Sequence, residues 1–143
     1  MNRVELLISF SNNVGIHRRM WEAEWNRRNK FDISYNQFLV LDMLENEGPK
    51  QAKHLVQRFL ITSGGVTTIT NRLEAQGLVE RGREGNPDRR TTVLAITDKG
   101  RELLSALTEI RQELFLHMFA KLTDAEIAFL AQIYATLVKG SRE

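Results

Sequence analysis

The stretch from Thr62 to Leu104, TSGGVTTITNRLEAQGLVERGREGNPDRRTTVLAITDKGRELL, constrains the fold most, because helical, extended and turn signals alternate within it. A helix is predicted from about Ser63, whose hydroxyl is available as an N-cap, to Gln76. Gly77 stands where a C-terminal glycine stops a helix. Val66, Ile69 and Leu73 follow helical spacing and should face a core, which leaves Thr67, Thr68, Thr70, Asn71 and Arg72 on the other faces. Short hydroxyl and amide side chains beside an arginine suit base edges and phosphates in a DNA major groove. Leu78 to Arg83 and Thr91 to Thr97 then have the β-branched content and rough alternation of strands, with turn chemistry in Gly85-Asn86-Pro87-Asp88 between them. The resulting hairpin is tipped by Arg89 and Arg90. An arginine there can enter a minor groove, drawn by its negative potential. Asp88 would be repelled by phosphate unless it orients a neighbouring arginine by a charge-assisted bond. Helix, strand, basic tip, strand and helix, in that order, describe a winged helix-turn-helix: a mainly α chain with a small two-stranded β wing.

NRLEAQGLVER, the wing NPDRR and the closing LAITDKGRELL resemble the signature of MarR-type transcriptional regulators, small dimeric winged-helix proteins. The match is strongest in this stretch and extends over the whole chain. The resemblance implies an Asp-x-Arg pair on Asp88 and Arg90, the arginine inserted in the minor groove and the aspartate holding it. It also implies dimerisation through the terminal helices. Residues 1–143 are then a single domain, with a DNA-binding lobe at 32–97 and dimerisation helices at 1–31 and 98–143.

Outside the motif the pattern is helical. Val4, Leu7, Ile8, Val14, Trp21 and Trp25 recur at roughly helical spacing up to the polar run Asn26 to Lys30. Ser34 and Gln37 make a capping box that opens a second helix running up to Gly48-Pro49. Gln51 to Phe59 forms a third, short helix, the first half of the helix-turn-helix. Thr97 caps a long helix through Lys121, and Thr123 with Glu126 opens a last one through Val138. Leu103, Leu107, Ile110 and Leu114 follow the spacing of a coiled-coil seam. The resemblance favours an intermolecular partner for that seam, with the first helix and Ile127, Leu130, Ala131, Tyr134, Leu137 and Val138 as its neighbours. Periodicity alone leaves chain core and dimer core unseparated. A two-fold dimer implies a pseudo-palindromic operator in double-stranded DNA.

Charge agrees with the motif in its distribution rather than its total. Twenty Lys and Arg against 18 Asp and Glu leave +2 overall. Between Lys50 and Arg101, however, ten basic residues face five acidic ones, a net +5, so the flanks carry −3. Basic charge gathers where phosphate contact requires it. Lys53, His54 and Arg58, on the first helix of the motif, suit backbone contacts. Arg72 has two readings: a phosphate contact, or an internal pair with an acidic residue, such as Glu74 or Glu80, that fixes the recognition helix. Ser63, Gly64 and Gly65 open a helix whose small residues allow close approach to a phosphate. Two glycines inside a helix cost roughly 1 kcal/mol each against alanine, a cost that favours a close-approach role, with a place in the turn as the other reading.

With no cysteine, the chain has no disulfides, thiolate zinc sites or peroxide sensing by thiol oxidation. His17, His54 and His117 lie far apart at no metal-ligand spacing, so no metal and no cofactor are expected. Thr62-Ser63-Gly64-Gly65 lacks both the G-x-S-x-G elbow and the phosphate-loop pattern. No acid, base or nucleophile cluster supports an enzyme. Neither a membrane span nor a signal peptide is apparent, so a cytoplasmic protein is expected.

The resemblance further implies a small aromatic or phenolic effector, bound between the dimerisation helices and the winged-helix lobe, that lowers DNA affinity. His17, Met20, Trp21, Trp25 and Phe38 are the residues expected to line that cleft, with Arg18 and Arg19 available to an effector carboxylate. Aromatic residues at helical spacing also suit a plain core. The conclusion drawn from sequence is a homodimeric DNA-binding regulator, a repressor released by an effector. Its rival is a winged-helix interaction module that has given up DNA, against which Asp88, Arg90 and the polar recognition face argue.

Overall fold

A computed structural model describes residues 1–85 and 91–142. Among these, the order is α1 (Arg3–Arg28), α2 (Tyr35–Glu47), α3 (Ala52–Phe59), α4 (Ser63–Ala75), β1 (Val79–Glu84), β2 (Thr91–Ile96), α5 (Asp98–Met118) and α6 (Asp124–Arg142). Helix starts are set by short polar side chains that satisfy otherwise unpaired backbone N–H groups. Asn2 with Glu5 and Ser34 with Gln37 form reciprocal capping boxes at α1 and α2. The Thr97 hydroxyl accepts from the Gly100 N–H to start α5, and the Thr123 hydroxyl accepts from the Glu126 N–H at α6. At α4 the cap is Thr62, whose hydroxyl accepts from the Gly65 N–H at 3.0 Å. Ser63, expected to serve there, is instead the first helical residue, because Thr62 has the extended backbone a cap needs (φ −68°, ψ 158°). Gly64 and Gly65 are helical rather than in the turn.

β1 and β2 pair antiparallel from Val79↔Ile96 to Glu84↔Thr91. Lys50 adds a bridge to Leu94, with backbone hydrogen bonds of 3.0 and 2.8 Å, which ties the α2–α3 connection to the wing root. The turn of the helix-turn-helix passes through Leu60 in the left-handed region (φ 53°).

The core lies where α2, α3, α4, α5 and the wing root meet, through Phe38, Leu41, Leu44, Leu55, Val66, Leu73, Leu78, Leu94, Ile96, Leu107 and Leu114. Trp25 of α1 joins it at 1% exposure and donates its indole N–H to the Ile33 carbonyl at 2.9 Å. The α5 seam faces its own chain: Leu107 and Leu114 are fully buried, and Phe115 meets Trp21 of α1 edge to face at 4.9 Å. Arg111 lies over the Phe38 ring of α2 at 4.8 Å. For Leu107 and Leu114 the partner is therefore the chain's own α1 and α2, while Leu103 and Ile110 of the same stripe are only half-buried. What stays open is the N-terminal half of α1 (Val4, Leu7, Ile8, Phe10) and α6 (Ile127, Phe129, Ile133, Val138), all exposed. Among the described residues no helix is long and apolar enough to cross a membrane.

Candidate nucleic-acid interface

Helix α4 turns Val66 and Leu73 into the core, with Ile69 half-buried beside them. Ser63, Gly64, Thr67, Thr68, Asn71 and Arg72 are left exposed along one continuous surface. Thr70 departs from its expected outward placement: it is 2% exposed, donates to the Thr67 carbonyl and accepts from Arg81 at 3.3 Å, so it serves the packing side of the helix. The hydroxyls of Thr67 and Thr68 donate to the carbonyls of Ser63 and Gly64 at 2.9 and 3.0 Å. That engagement leaves oxygen lone pairs and methyl groups as their outward chemistry, suited to base amino groups and to the thymine methyl. A Cβ on Gly64 would meet nothing nearer than the Thr62 hydroxyl at 3.9 Å, so packing within the chain sets no demand for glycine there.

Arg72 reaches neither Glu74 nor Glu80. Its internal partner is Asp32, at 3.8 Å, with both side chains largely in solvent. Glu74 instead takes Arg81, which donates to it at 2.9 Å and to the Asn71 Oδ1 at 2.8 Å. Arg81 was not legible as a site residue, because the turn at Gly77 reverses the chain between it and its partners.

On α3, Lys53 is exposed. His54 accepts from the Gln51 N–H through Nδ1 at 3.3 Å and so belongs to the helix start. Arg58 forks onto Glu47 of α2 through two hydrogen bonds of 2.7 Å each. The paired guanidinium holds the Glu47 carboxyl below its ordinary value, and the carboxylate raises that of Arg58. Arg58 thus clamps α3 to the end of α2. Asp88, Arg89 and Arg90, the wing-tip residues, lie outside the described residues.

The recognition helix is anchored at its far end by α5. Lys99 donates to the Gln76 carbonyl at 2.8 Å and the Thr97 hydroxyl to the Gly77 carbonyl at 2.7 Å, answering carbonyls that the end of α4 leaves free.

A cleft of about 550 Å³ opens between α1, the start of α2 and α6. His17, Trp21 and Trp25 line it together with Tyr35 and Tyr134. Met20 and Phe38 do not. Phe38 is fully buried in the core, and Met20, three residues from His17, stands 52% exposed. Trp21 meets Tyr35 at 5.9 Å, and its buried indole N–H has no partner among the described residues. Arg18 lines the cleft and pairs loosely with Glu22 at 3.4 Å. Burial raises the Tyr35 hydroxyl above its ordinary range. Tyr35 and Tyr134 were missed, since each comes from a different element and only the fold brings them to α1.

A helix with a polar outward face, anchored at both ends beside a hairpin, is the geometry of a DNA-reading module. The chain is 30% identical over 108 residues to the uncharacterised helix-turn-helix transcriptional regulator YpoP of Bacillus subtilis (strain 168), covering 76% of each. A family model described as MarR family matches residues 31–90. The chain belongs to the MarR family. As a MarR-family protein it is a DNA-binding transcriptional regulator. The likeness extends beyond the matched segment. It overlays the organohalide-sensing regulator RdhR-CbdbA1625 in its 2,4-dichlorophenol-bound form with a TM-score of 0.83 at 20% identity, covering 98% of this chain and 85% of that one. A mutant MarR from E. coli in complex with operator DNA superposes with a TM-score of 0.80 at 20% identity, over 96% and 99% of the two chains. At that identity these two likenesses establish the fold.

Proposed function

We propose that this MarR-family chain works as a dimeric repressor that reads a pseudo-palindromic duplex and is released by a small aromatic or phenolic effector. The exposed row Ser63, Gly64, Thr67, Thr68, Asn71 and Arg72, on a helix whose opposite face is locked into the core, carries the reading. In it, α4 enters the major groove, Lys53 touches the backbone, and Arg89 and Arg90 at the wing tip reach the minor groove with Asp88 orienting Arg90. Gly64 leaves room for a phosphate against the start of α4. Residues 32–97 form the DNA-binding lobe, and residues 1–31 and 98–143 the dimerisation part. The exposed apolar faces of α1 and α6 supply the second copy's docking surface. A two-fold dimer sets its recognition helices about 34 to 36 Å apart, one turn of DNA. The chain has no catalytic step in this reading and works beside cytoplasmic DNA.

Supporting an effector is the cleft itself, with aromatic walls and the Arg18 guanidinium among its lining groups. A relative of the same fold is described with 2,4-dichlorophenol bound. An effector shifts DNA affinity only if it binds more tightly to a dimer whose recognition helices are wrongly spaced. The bonds from Lys99 and Thr97 to the end of α4 make such a change in α5 carry α4 with it.

The test is selection from a random duplex library by the purified protein, followed by titration of the selected site against salt. Enrichment of an inverted repeat with steeply salt-dependent affinity is expected. A folded dimer that enriches no sequence overturns the reading. Substituted phenols are then added to the complex; release of DNA together with quenched tryptophan fluorescence is the expected signature of the cleft.

A further inference from the structure

Arg81 sits on β1, opposite Leu94, and its guanidinium reaches across to three side chains of α4. Nη1 donates to the Glu74 Oε1 at 2.9 Å, while Nη2 donates to the Thr70 Oγ1 at 3.3 Å and to the Asn71 Oδ1 at 2.8 Å. Thr70 is buried, so one of these anchors is held by the core itself. An arginine only donates hydrogen bonds, so the atom of the Asn71 amide that faces it must be the oxygen. Flipping the amide would set its N–H groups against those of the guanidinium and lose the bond.

We propose that Arg81 is a positioning residue for base recognition, which turns the exposed Asn71 amide toward DNA as a hydrogen-bond donor. This rests on the reading of α4 as the base-reading helix. An asparagine that pairs with adenine uses its oxygen and its amide nitrogen side by side, accepting from N6 and donating to N7. With the oxygen turned to the wing root, Asn71 leads with its Nδ2 hydrogens, which among the described residues no acceptor takes. Those hydrogens fit an acceptor edge, which guanine presents at N7 and O6 and thymine at O4. The specificity of the helix at that base pair is therefore set from the wing strand, by a residue that does not itself touch a base.

The experiment is selection from a random duplex library by the full-length protein and three variants, with helical content and melting followed in parallel. The wild type is expected to prefer guanine or thymine over adenine by about tenfold or more at one base pair of each half-site, the size of one good base contact. Asn71→Asp keeps a partner for Arg81 but offers only acceptors, so that position should move to cytosine, whose N4 group donates. Arg81→Ala frees the amide and should erase the discrimination against adenine at the same base pair. Glu74→Gln removes the ion pair but leaves the Asn71 contact, and should keep the preference. A uniform loss of affinity in Arg81→Ala, with the preference unchanged, would mean that Arg81 is merely structural and would overturn the proposal while leaving the function intact. Should Arg81→Ala fail to fold, Asn71→Asp decides: the wild-type preference retained, or adenine preferred by the wild type, overturns it. No enrichment by the wild type overturns both this and the reading it rests on.

Discussion

Gly100, in the first turn of α5, lies so close to the end of α4 that a Cβ there would stand 2.2 Å from the carbonyl oxygen of Leu78 and 2.7 Å from the Ile96 side chain. The same carbonyl accepts from the Thr97 N–H at 3.1 Å. Backbone cannot give way as a flexible side chain can, so glycine is required by contact rather than by its φ angle. Gly100→Ala is expected to lower stability by about 3 kcal/mol, the upper part of the range for overpacking a close contact. Urea unfolding followed by circular dichroism measures it; a midpoint unchanged from wild type would show that α5 can back away from the turn at no cost.

The cap of the recognition helix distinguishes two adjacent hydroxyls. Thr62→Ala should cost about 1 kcal/mol, the usual loss for an N-cap. Ser63→Ala, at an exposed helical position, should stay within about 0.5 kcal/mol. Thermal melting of both variants checks the assignment, and equal losses would refute it.

Glu24 accepts from Arg27 at 2.7 Å and Arg28 at 3.0 Å, and these bonds hold its carboxyl down at about 2, from an ordinary 4.5. A carboxyl lowered by folding contributes stability that is fully present above the unfolded value and is lost as pH falls through the folded one. The contribution therefore holds above about pH 4.5 and disappears on approach to pH 2. Glu24→Gln should flatten the pH dependence of the melting temperature in that window and leave its slope at neutral pH unchanged. A wild-type slope in the variant would assign the pH dependence to other carboxylates.

Exposed and buried apolar residues on the helical part should respond differently to charge. Ile133→Asp, on the open face of α6, is expected to spare the fold and weaken dimerisation, since burying one isoleucine is worth roughly 2 kcal/mol and two-fold symmetry counts it twice. Leu107→Asp, fully buried against its own chain, should unfold the protein. Sedimentation velocity separates the outcomes; an intact Ile133→Asp dimer at micromolar concentration would place the interface elsewhere.

At the wing tip, Arg90→Ala should weaken specific DNA binding by at least about 1 kcal/mol, as expected for a lost charged contact. It should also reduce the salt slope by about one unit. Both are read from one fluorescence-anisotropy titration series. Unchanged affinity would remove the wing from the interface.

The features legible in the bare chain are local. Capping boxes at Ser34 and Thr123, the stop at Gly77 and the polar row on α4 are written in residues one to four positions apart, within the span over which a backbone hydrogen bond or a helical face is formed. The order of those elements was enough to identify the winged helix-turn-helix. Folding in three dimensions settled everything that joins residues far apart in sequence. Whether Leu107 and Leu114 met a second copy or their own α1 and α2 depended on how the helices fold back, because an apolar stripe is attracted to any apolar surface without regard to which chain supplies it. Burial of Phe38 and Thr70, the Asp32 partner of Arg72, and the arrival of Tyr35 and Tyr134 in the cleft have the same origin. The grip of Arg81 on Asn71 does too: the turn at Gly77 brings β1 back along α4, and only that reversal makes a neighbour of a residue ten positions away.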